Sequence, residues 1–496
     1  METDLKHKAI KGLAWNFIGT SANKVIQFSI TLVLARLLTP TDYGLIGMLG
    51  FFMGIASTFI DSGFSSALIQ KKDHNNEDYC TVFYVNLIMS LGMYGLLYIA
   101  APWIAKFYNQ PVLIQIIRIY SITLIIGAMS AINNVRLVID LNYKISTTVA
   151  SIAALLSGIL GIVFAYLGYG VWSLVFQQII ASVVRTILLF YYIRWTPGFH
   201  FSPQSFKHLF GYGSKLLGAS LISSIYSQIY PLVIGKQFPS ADLGYVTRAQ
   251  NFNEVITSNV TNIFGQVAFP VLAKVQDDDN VLLRMYNKYM QMSAFVIFPM
   301  VMFLCGIAKP LVLLLLTAKW EPCVILLQIL SFGYLWEGLT KINLNLLYVK
   351  GRTDLVLKLE IIKKSFAFVI LGVSIIIGNL LVFCLGMTLY SFIALYLNTI
   401  YTKKLLKFGF LKQIKEIWKY LCFSIVIMIV ALIISNFIRI HSLALIISCT
   451  ICIPLYLYLC YRANAYALVE SVKILGPKLG SFGQWIEKVL LKNIEI

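Results

Sequence analysis

One short pattern is written twice in this chain, 200 positions apart, inside sequence too apolar for water. Leu32-Val33-Leu34-Ala35-Arg36 returns as Leu232-Val233-Ile234-Gly235-Lys236, and Asp42-Tyr43-Gly44 returns as Asp242-Leu243-Gly244. The stretch before each copy carries a polar stripe in the same register. It reads Thr20, Asn23, Lys24, Gln27 in one and Ser220, Ser223, Ser224, Ser227 in the other. Two similar halves embedded in apolar sequence point to a membrane transporter built by duplication.

Of 496 residues, 59% are hydrophobic and 12% are charged. A water-soluble domain carries about 25% charged residues. The solvent for this chain is therefore lipid. A spanning helix needs about 20 apolar residues, and fourteen stretches qualify: 13–38, 43–68, 81–105, 112–139, 146–168, 170–193, 213–236, 242–272, 288–316, 323–349, 355–378, 380–402, 418–438 and 441–462. The expected fold is an all-α integral membrane protein with two six-helix pseudo-repeat lobes and two extra C-terminal helices. Residues 1–200 form the N-terminal lobe and 201–402 the C-terminal lobe. Residues 403–462 hold an interfacial helix and spans 13 and 14, and 463–496 form a basic amphipathic tail on the cytoplasmic face.

The formal charge is +19. In a soluble chain this would suggest nucleic acid. Here the Lys and Arg gather in alternate loops, as in Lys71-Lys72, Lys350 with Arg352, and Lys403-Lys404 with Lys407, Lys412 and Lys415. That is the positive-inside pattern. It excludes a nucleic-acid partner and predicts that both termini lie in the cytoplasm. Six spans separate the two copies, so both halves enter the membrane in the same sense. The eight Cys lie mostly in apolar stretches, and Cys449-x-x-Cys452 has no second pair, so no metal is expected. The first apolar stretch is too long, and lacks the cleavage site, for a removable signal peptide.

Seven ionisable residues fall well inside the spans: Lys24, Arg118, Arg185, Arg248, Glu254, Glu337 and Lys341. Each costs about 2.5–3.5 kcal/mol at the bilayer centre, together roughly 20 kcal/mol, more than a typical folding stability. They must face one another or water. Helical geometry agrees. Asn16, Thr20, Asn23, Lys24, Gln27 and Thr31 fall within about 100° on the first span. On the eighth, Arg248, Asn251, Glu254, Ser258, Asn259, Asn262 and Gln266 fall within roughly 140°. Tyr334, Glu337, Lys341, Asn345 and Tyr348 share a face of the tenth, where Glu337 and Lys341 are spaced as an ion pair. Arg118 and Arg136 lie five helical turns apart on the fourth, and Arg136 is near enough to the inner end to snorkel. These stripes imply a wet cavity between the halves.

Five cations against two carboxylates leave that cavity positive. It suits an anion, and an inside-negative potential drives an anion outward. A pyrophosphate with about two charges gains roughly 4–5 kcal/mol per 100 mV. There is no phosphate-binding glycine loop. Asp277-Asp278-Asp279 resembles a metal-binding triplet of a glycosyltransferase, but no nucleotide-binding domain surrounds it, and a solvated loop explains it better.

Leu32–Asp73, reading LVLARLLTPTDYGLIGM…IDSGFSSALIQKKD, resembles the polysaccharide flippases of the multidrug/oligosaccharidyl-lipid/polysaccharide exporter superfamily. The likeness is nearest to the colanic-acid, teichuronic-acid and lipopolysaccharide exporter branch. GYGVWSLVFQ at 168–177, FKHLFGYGSKLL at 206–217 and LVIGKQFPSADLGYVTR at 232–248 extend the likeness, as does Phe269-Pro270-Val271-Leu272. The resemblance implies two six-helix lobes in a V, with spans 1, 2, 7 and 8 lining a cavity. It also implies a bacterial cytoplasmic (inner) membrane protein that moves a polyprenyl-pyrophosphate-linked oligosaccharide from the inner to the outer leaflet for surface polysaccharide synthesis. Related peptidoglycan-precursor flippases use cations on the first and eighth spans, which by position are Lys24 and Arg248. The basic residue those relatives carry on the second span is absent here, where Asp61, Ser62 and Ser65 stand.

The expected substrate site is therefore Lys24 and Arg248 for the pyrophosphate, with Arg118, Arg185 and Lys341 adding field. Asn23, Gln27, Asn251 and Asn259 would meet sugar hydroxyls. Glu254, Glu337 and Asp61 are the candidates for ion coupling. No cofactor or catalytic residue is expected; the driving force would be the membrane potential or an H+ or Na+ gradient. Membrane lipid, a polysaccharide polymerase and glycosyltransferases are the expected partners of a monomeric protein. A drug/cation antiporter of the same fold is the first rival, and a membrane glycosyltransferase or polymerase the second.

Overall fold

The computed structural model describes residues 2–475 apart from 62, 72 and 74, with side chains from residue 19 onward except at 212, 215, 259, 262–267, 474 and 475. Ser62, the basic tail beyond 475, and the side chains of Asn16, Asn259, Asn262 and Gln266 lie outside the described residues. Among those described, every regular element is a helix. α1 (Glu2–Leu37) and α2 (Pro40–Asp61) lead to a short α3 (Phe64–Gln70) and a long α4 (Asn76–Tyr108). A pair, α5 (Leu113–Tyr120) and α6 (Ile122–Ile139), precedes α7 (Tyr143–Tyr166) and α8 (Val171–Ile193). The second half runs through α9 (Pro203–Gln237), α10 (Ser240–Lys274), α11 (Asp279–Gly306) and the short α12 (Ala308–Leu315). A single 3-10 turn (Ala318–Trp320) then leads to the pair α13 (Cys323–Tyr334) and α14 (Glu337–Val349), followed by α15 (Thr353–Ile377) and α16 (Leu380–Leu406). α17 (Phe410–Phe437), α18 (His441–Arg462) and α19 (Tyr466–Leu475) follow. Eleven segments among the described residues are long and apolar enough to cross a membrane. The chain is an all-helical integral membrane protein. Three further helices, α1, α10 and α15, are 36, 35 and 25 residues long.

The chain divides into two compact units, Met1–Gly244 and Tyr245–Ile496. In the first, α1 runs along α7, α7 along α8, and α2 along α9. The start of α2 follows from its sequence. Asp42 accepts hydrogen bonds from the Thr39 backbone N–H (2.8 Å) and hydroxyl (2.6 Å), and Pro40 supplies a first helical residue that needs no amide hydrogen. One turn on, the backbone of α2 meets the start of α10. A Cβ on Gly44 would lie 1.7 Å from the Ser240 carbonyl oxygen, and one on Gly244 would lie 2.1 Å from that of Pro40. Only glycine permits this approach. The repeated Asp-x-Gly is thus a crossing point at which the two copies touch each other.

The segment between α8 and α9 is strapped onto α4. Trp195 donates its indole N–H to Asn76 (2.8 Å), Ser202 N–H donates to Thr81 Oγ1 (3.0 Å), and Phe199 stacks on Tyr84. Arg136 stacks over Tyr79 (5.5 Å) and Trp195 (5.8 Å) in the same cluster. Its guanidinium is housed by aromatic faces within the protein.

Two spans read from sequence as continuous helices are broken. The fourth breaks at Ser121, whose hydroxyl donates back to the Ile117 carbonyl (2.7 Å). The tenth breaks at Leu335-Trp336, just after Ser331, whose hydroxyl donates back to the Leu327 carbonyl (2.7 Å). Such back-bonding competes with the helix ladder and bends helices. The breaks correct the reading of Arg118 and Arg136 as one face of one helix: they stand on α5 and α6. Tyr334 and Glu337 likewise end one helix and begin the next.

In the second unit α17 lies along α11, and α18 along α17 and α12. A buried network ties the added C-terminal helices in. The Asn343 and Gln413 amides pair reciprocally at 3.1 Å, and Thr402 donates to Asn343 (2.8 Å). Glu416 accepts from Asn287 (3.2 Å) and Gln291 (2.9 Å). The expected interfacial helix at 403–419 is not a separate element. Residues up to 406 finish α16, and α17 runs unbroken from Phe410, because Gln413, Ile417 and Tyr420 are buried.

Candidate functional site

The polar side chains form two groups, one in each unit. In the first unit, α1 turns Gly19 and Ile30 onto α7, where they meet Thr147 and Gly158. The expected stripe flanks that seam: Asn23 is half-buried, and Lys24 and Gln27 are exposed. Arg118 is half-buried on α5 with its guanidinium 4.4 Å over the Tyr98 ring. Arg185 on α8 is exposed and donates to Asn134 Oδ1 (3.1 Å) on α6. The Tyr98 ring and the Asn134 amide are both neutral. Between Asp78 and Asp242 the sequence holds a single acid, Asp140, at the end of α6. Asp61, a coupling candidate, is exposed at the end of α2 and accepts from Ser65.

In the second unit, Arg248 is 4% exposed, with its guanidinium 5.4 Å over Trp320. Trp320 is itself fully buried, and Tyr245 holds that turn by donating to the Lys319 carbonyl (3.2 Å) and meeting the indole edge-on. Arg248 thus lies in the interior of the protein. The Trp320 contact was missed, since a partner 72 positions away leaves no local pattern.

Further along α10, Asn251 and Glu254 are exposed. The helix break aims Tyr334 at Glu254, and its hydroxyl donates to the carboxylate at 3.2 Å. Glu337 opens α14 and pairs with Lys341 at 2.8 Å, both partly exposed. Glu254 lies within Coulombic range of both. Four polar groups that sequence reasoning placed on two separate stripes therefore form one cluster around a discontinuous helix. Among the described residues no three His, Cys, Asp or Glu side chains gather as a metal site. The acidic triplet has structural work: Asp278 caps α11, accepting from Asn280 and Val281, and Asp279 pairs with Lys350 at 2.7 Å.

The charge is divided unequally. Of the seven ionisable groups that the sequence places inside spans, Lys24, Arg118 and Arg185 lie in the first unit. Both carboxylates, Glu254 and Glu337, lie in the second. Residues 33–325, more than half the chain, match the family model described as polysaccharide biosynthesis protein. The chain belongs to that family. The polysaccharide biosynthesis family match takes in the crossing glycines, the strapped linker, Arg118, Arg185, Arg248 and Glu254, and leaves Lys24, Tyr334, Glu337 and Lys341 outside it. Among curated relatives, this member is 25% identical over 356 residues to the teichuronic acid biosynthesis protein TuaB of Bacillus subtilis, covering 70% of this chain and 72% of that one. It is 24% identical over 398 residues to the lipopolysaccharide biosynthesis protein WzxC of Escherichia coli, covering 80% of each. Among solved structures, the lipid II flippase MurJ in an inward closed conformation matches with TM-score 0.71 at 16% identity, over 90% of this chain and 98% of that chain. A multidrug transporter of the MATE family matches with TM-score 0.58 at 17% identity, over 77% of this chain and 96% of that chain. The fold is shared with both.

Proposed function

We propose that this protein is a flippase that carries a polyprenyl-pyrophosphate-linked oligosaccharide from the inner to the outer leaflet of the cytoplasmic membrane. One observation carries the reading beyond the family: Arg118 and Arg185, both inside apolar spans, meet the neutral Tyr98 ring and the Asn134 amide oxygen rather than carboxylates. Such groups are costly in lipid and suit a phosphate headgroup. Lys24 holds the pyrophosphate. Arg118, Arg185 and the buried Arg248 supply field, and Asn23, Gln27 and Asn251 meet sugar hydroxyls. Fourteen spans serve this route, the eleven apolar segments with α1, α10 and α15, and both termini are cytoplasmic. The two repeats form six-helix lobes that rock to alternate access. Membrane potential favours outward movement of the anion.

The test is direct. Purified protein in vesicles holding a labelled polyprenyl-pyrophosphate oligosaccharide should expose the inner-leaflet sugar to a membrane-impermeant oxidant. Protein-free vesicles should not. Equal protection in the two preparations would remove the proposal.

Glu254 favours a second element, ion coupling. An acid that accepts from Tyr334 beside the Glu337–Lys341 pair is suited to bind and release a proton. Glu254→Gln removes that titration. Transport driven by a potential should persist in this variant, while acceleration by an imposed pH gradient should disappear. An unchanged response to the pH gradient would assign coupling elsewhere. The same group gives the drug/cation antiporter reading its support. Glu337, already neutralised by Lys341, weakens that reading.

A further inference from the structure

The turn between α16 and α17 carries Lys403, Lys404, Lys407, Lys412 and Lys415, all exposed, within thirteen residues. No acid interrupts them. The nearest, Glu416, is turned inward to Asn287 and Gln291. Among the described residues none of the five reaches a carboxylate. Lys404 lies over the Tyr401 ring (5.4 Å), Lys412 donates to the Lys407 carbonyl (3.1 Å), and the Lys403 stem lies against Gly409. The turn is therefore a fixed arrangement of like charges rather than a loose tail. It is also an electrostatically poor one. The first turn of α17 has no acid, and cations near a helix N-terminus are unfavourable unless an anion offsets them.

What lies beside the lysines identifies that anion. Leu411 is 81% exposed and Trp418 is 48% exposed, seven residues apart and on one face of α17. Val426, Ile429 and Ile433 continue the same exposed apolar face for three more turns. A soluble anion would need no such stripe, and an acidic protein would leave it uncovered. A lipid satisfies both halves at once, with its chains along the stripe and its phosphate among the lysines.

We infer that the α16–α17 turn is a binding site for an anionic phospholipid of the adjoining leaflet. Lys403, Lys407 and Lys415 engage the headgroup, and Trp418 stands at the level of its glycerol backbone. The lysines and the apolar stripe carry this inference, and the proposed transport activity does not.

Native mass spectrometry of the full chain, released from detergent with dioleoyl phosphatidylglycerol or dioleoyl phosphatidylcholine, tests the inference. The unaltered protein should retain phosphatidylglycerol and little phosphatidylcholine. The triple variant Lys403→Gln, Lys407→Gln, Lys415→Gln should bind phosphatidylglycerol at least about tenfold more weakly. The corresponding Lys→Arg triple variant should bind close to the native level and shows whether charge, not side-chain volume, is responsible. Native-like phosphatidylglycerol retention by the Gln variant would overturn the site. So would preferential capture at this turn of polyprenyl phosphate over phosphatidylglycerol, which would make it part of the substrate path.

Discussion

Valine at position 44 is expected to abolish surface polysaccharide export and to lower the melting temperature of the purified protein. The reason is backbone geometry. A Cβ at Gly44 would lie 1.7 Å from the Ser240 carbonyl oxygen, far inside any tolerated approach, and the obstacle is main chain that cannot rotate away. Relief requires α2 and the start of α10 to separate. Overpacking of this kind costs about 1–3 kcal/mol, occasionally more. Gly244→Val should act alike, since its Cβ would lie 2.1 Å from the Pro40 carbonyl oxygen. Gly127→Ala is the contrast. Nothing stands within 4 Å of its added carbon, and alanine suits a helix interior, so stability should hold or rise slightly. Scanning calorimetry in detergent with an export assay in cells makes the comparison. Unaltered melting and export in Gly44→Val would refute the crossing as a necessary contact.

Lys24→Ala is expected to slow flipping at least about thirtyfold, the lower end of the effect of deleting one partner of a desolvated charge pair. The side chain is exposed on α1, so the amount of protein in the membrane should not change. Lys24→Arg should keep most of the rate, because the substrate group it meets is an anion. Initial rates in vesicles and immunoblots of membranes provide the two readouts. Normal rates in the alanine variant would take the pyrophosphate away from α1.

The sequence made the fold legible wherever a feature repeats or is periodic. The Asp-x-Gly copies marked the crossing, although nothing in them announced that the copies touch. The polar stripes named Lys24, Glu254 and Glu337 because a charge in an apolar run stands out. Glu337 and Lys341 were readable as an ion pair from their spacing alone. The helix breaks were hidden, since a serine in a span usually bends nothing; Ser121 and Ser331 matter through the carbonyl each one engages. Tertiary partners were hidden too. Trp320 over Arg248 and Tyr334 on Glu254 join positions about 70–80 apart, beyond any periodicity. The lysines of 403–415 suggested a surface helix, but Gln413 and Ile417 are drawn into the interior, and the helix follows them.

Where a Cβ on Gly244 would lie 3.3 Å from the Gly44 amide nitrogen, a position meets its own duplicate. A contact between equivalent positions of two repeats resembles the self-complementary contact of a symmetric pair, in which the same residue must fit both sides. In one chain each of the two positions can be substituted alone. That both are glycine keeps the crossing closed from either side, since a side chain on one copy would have to displace the backbone of the other.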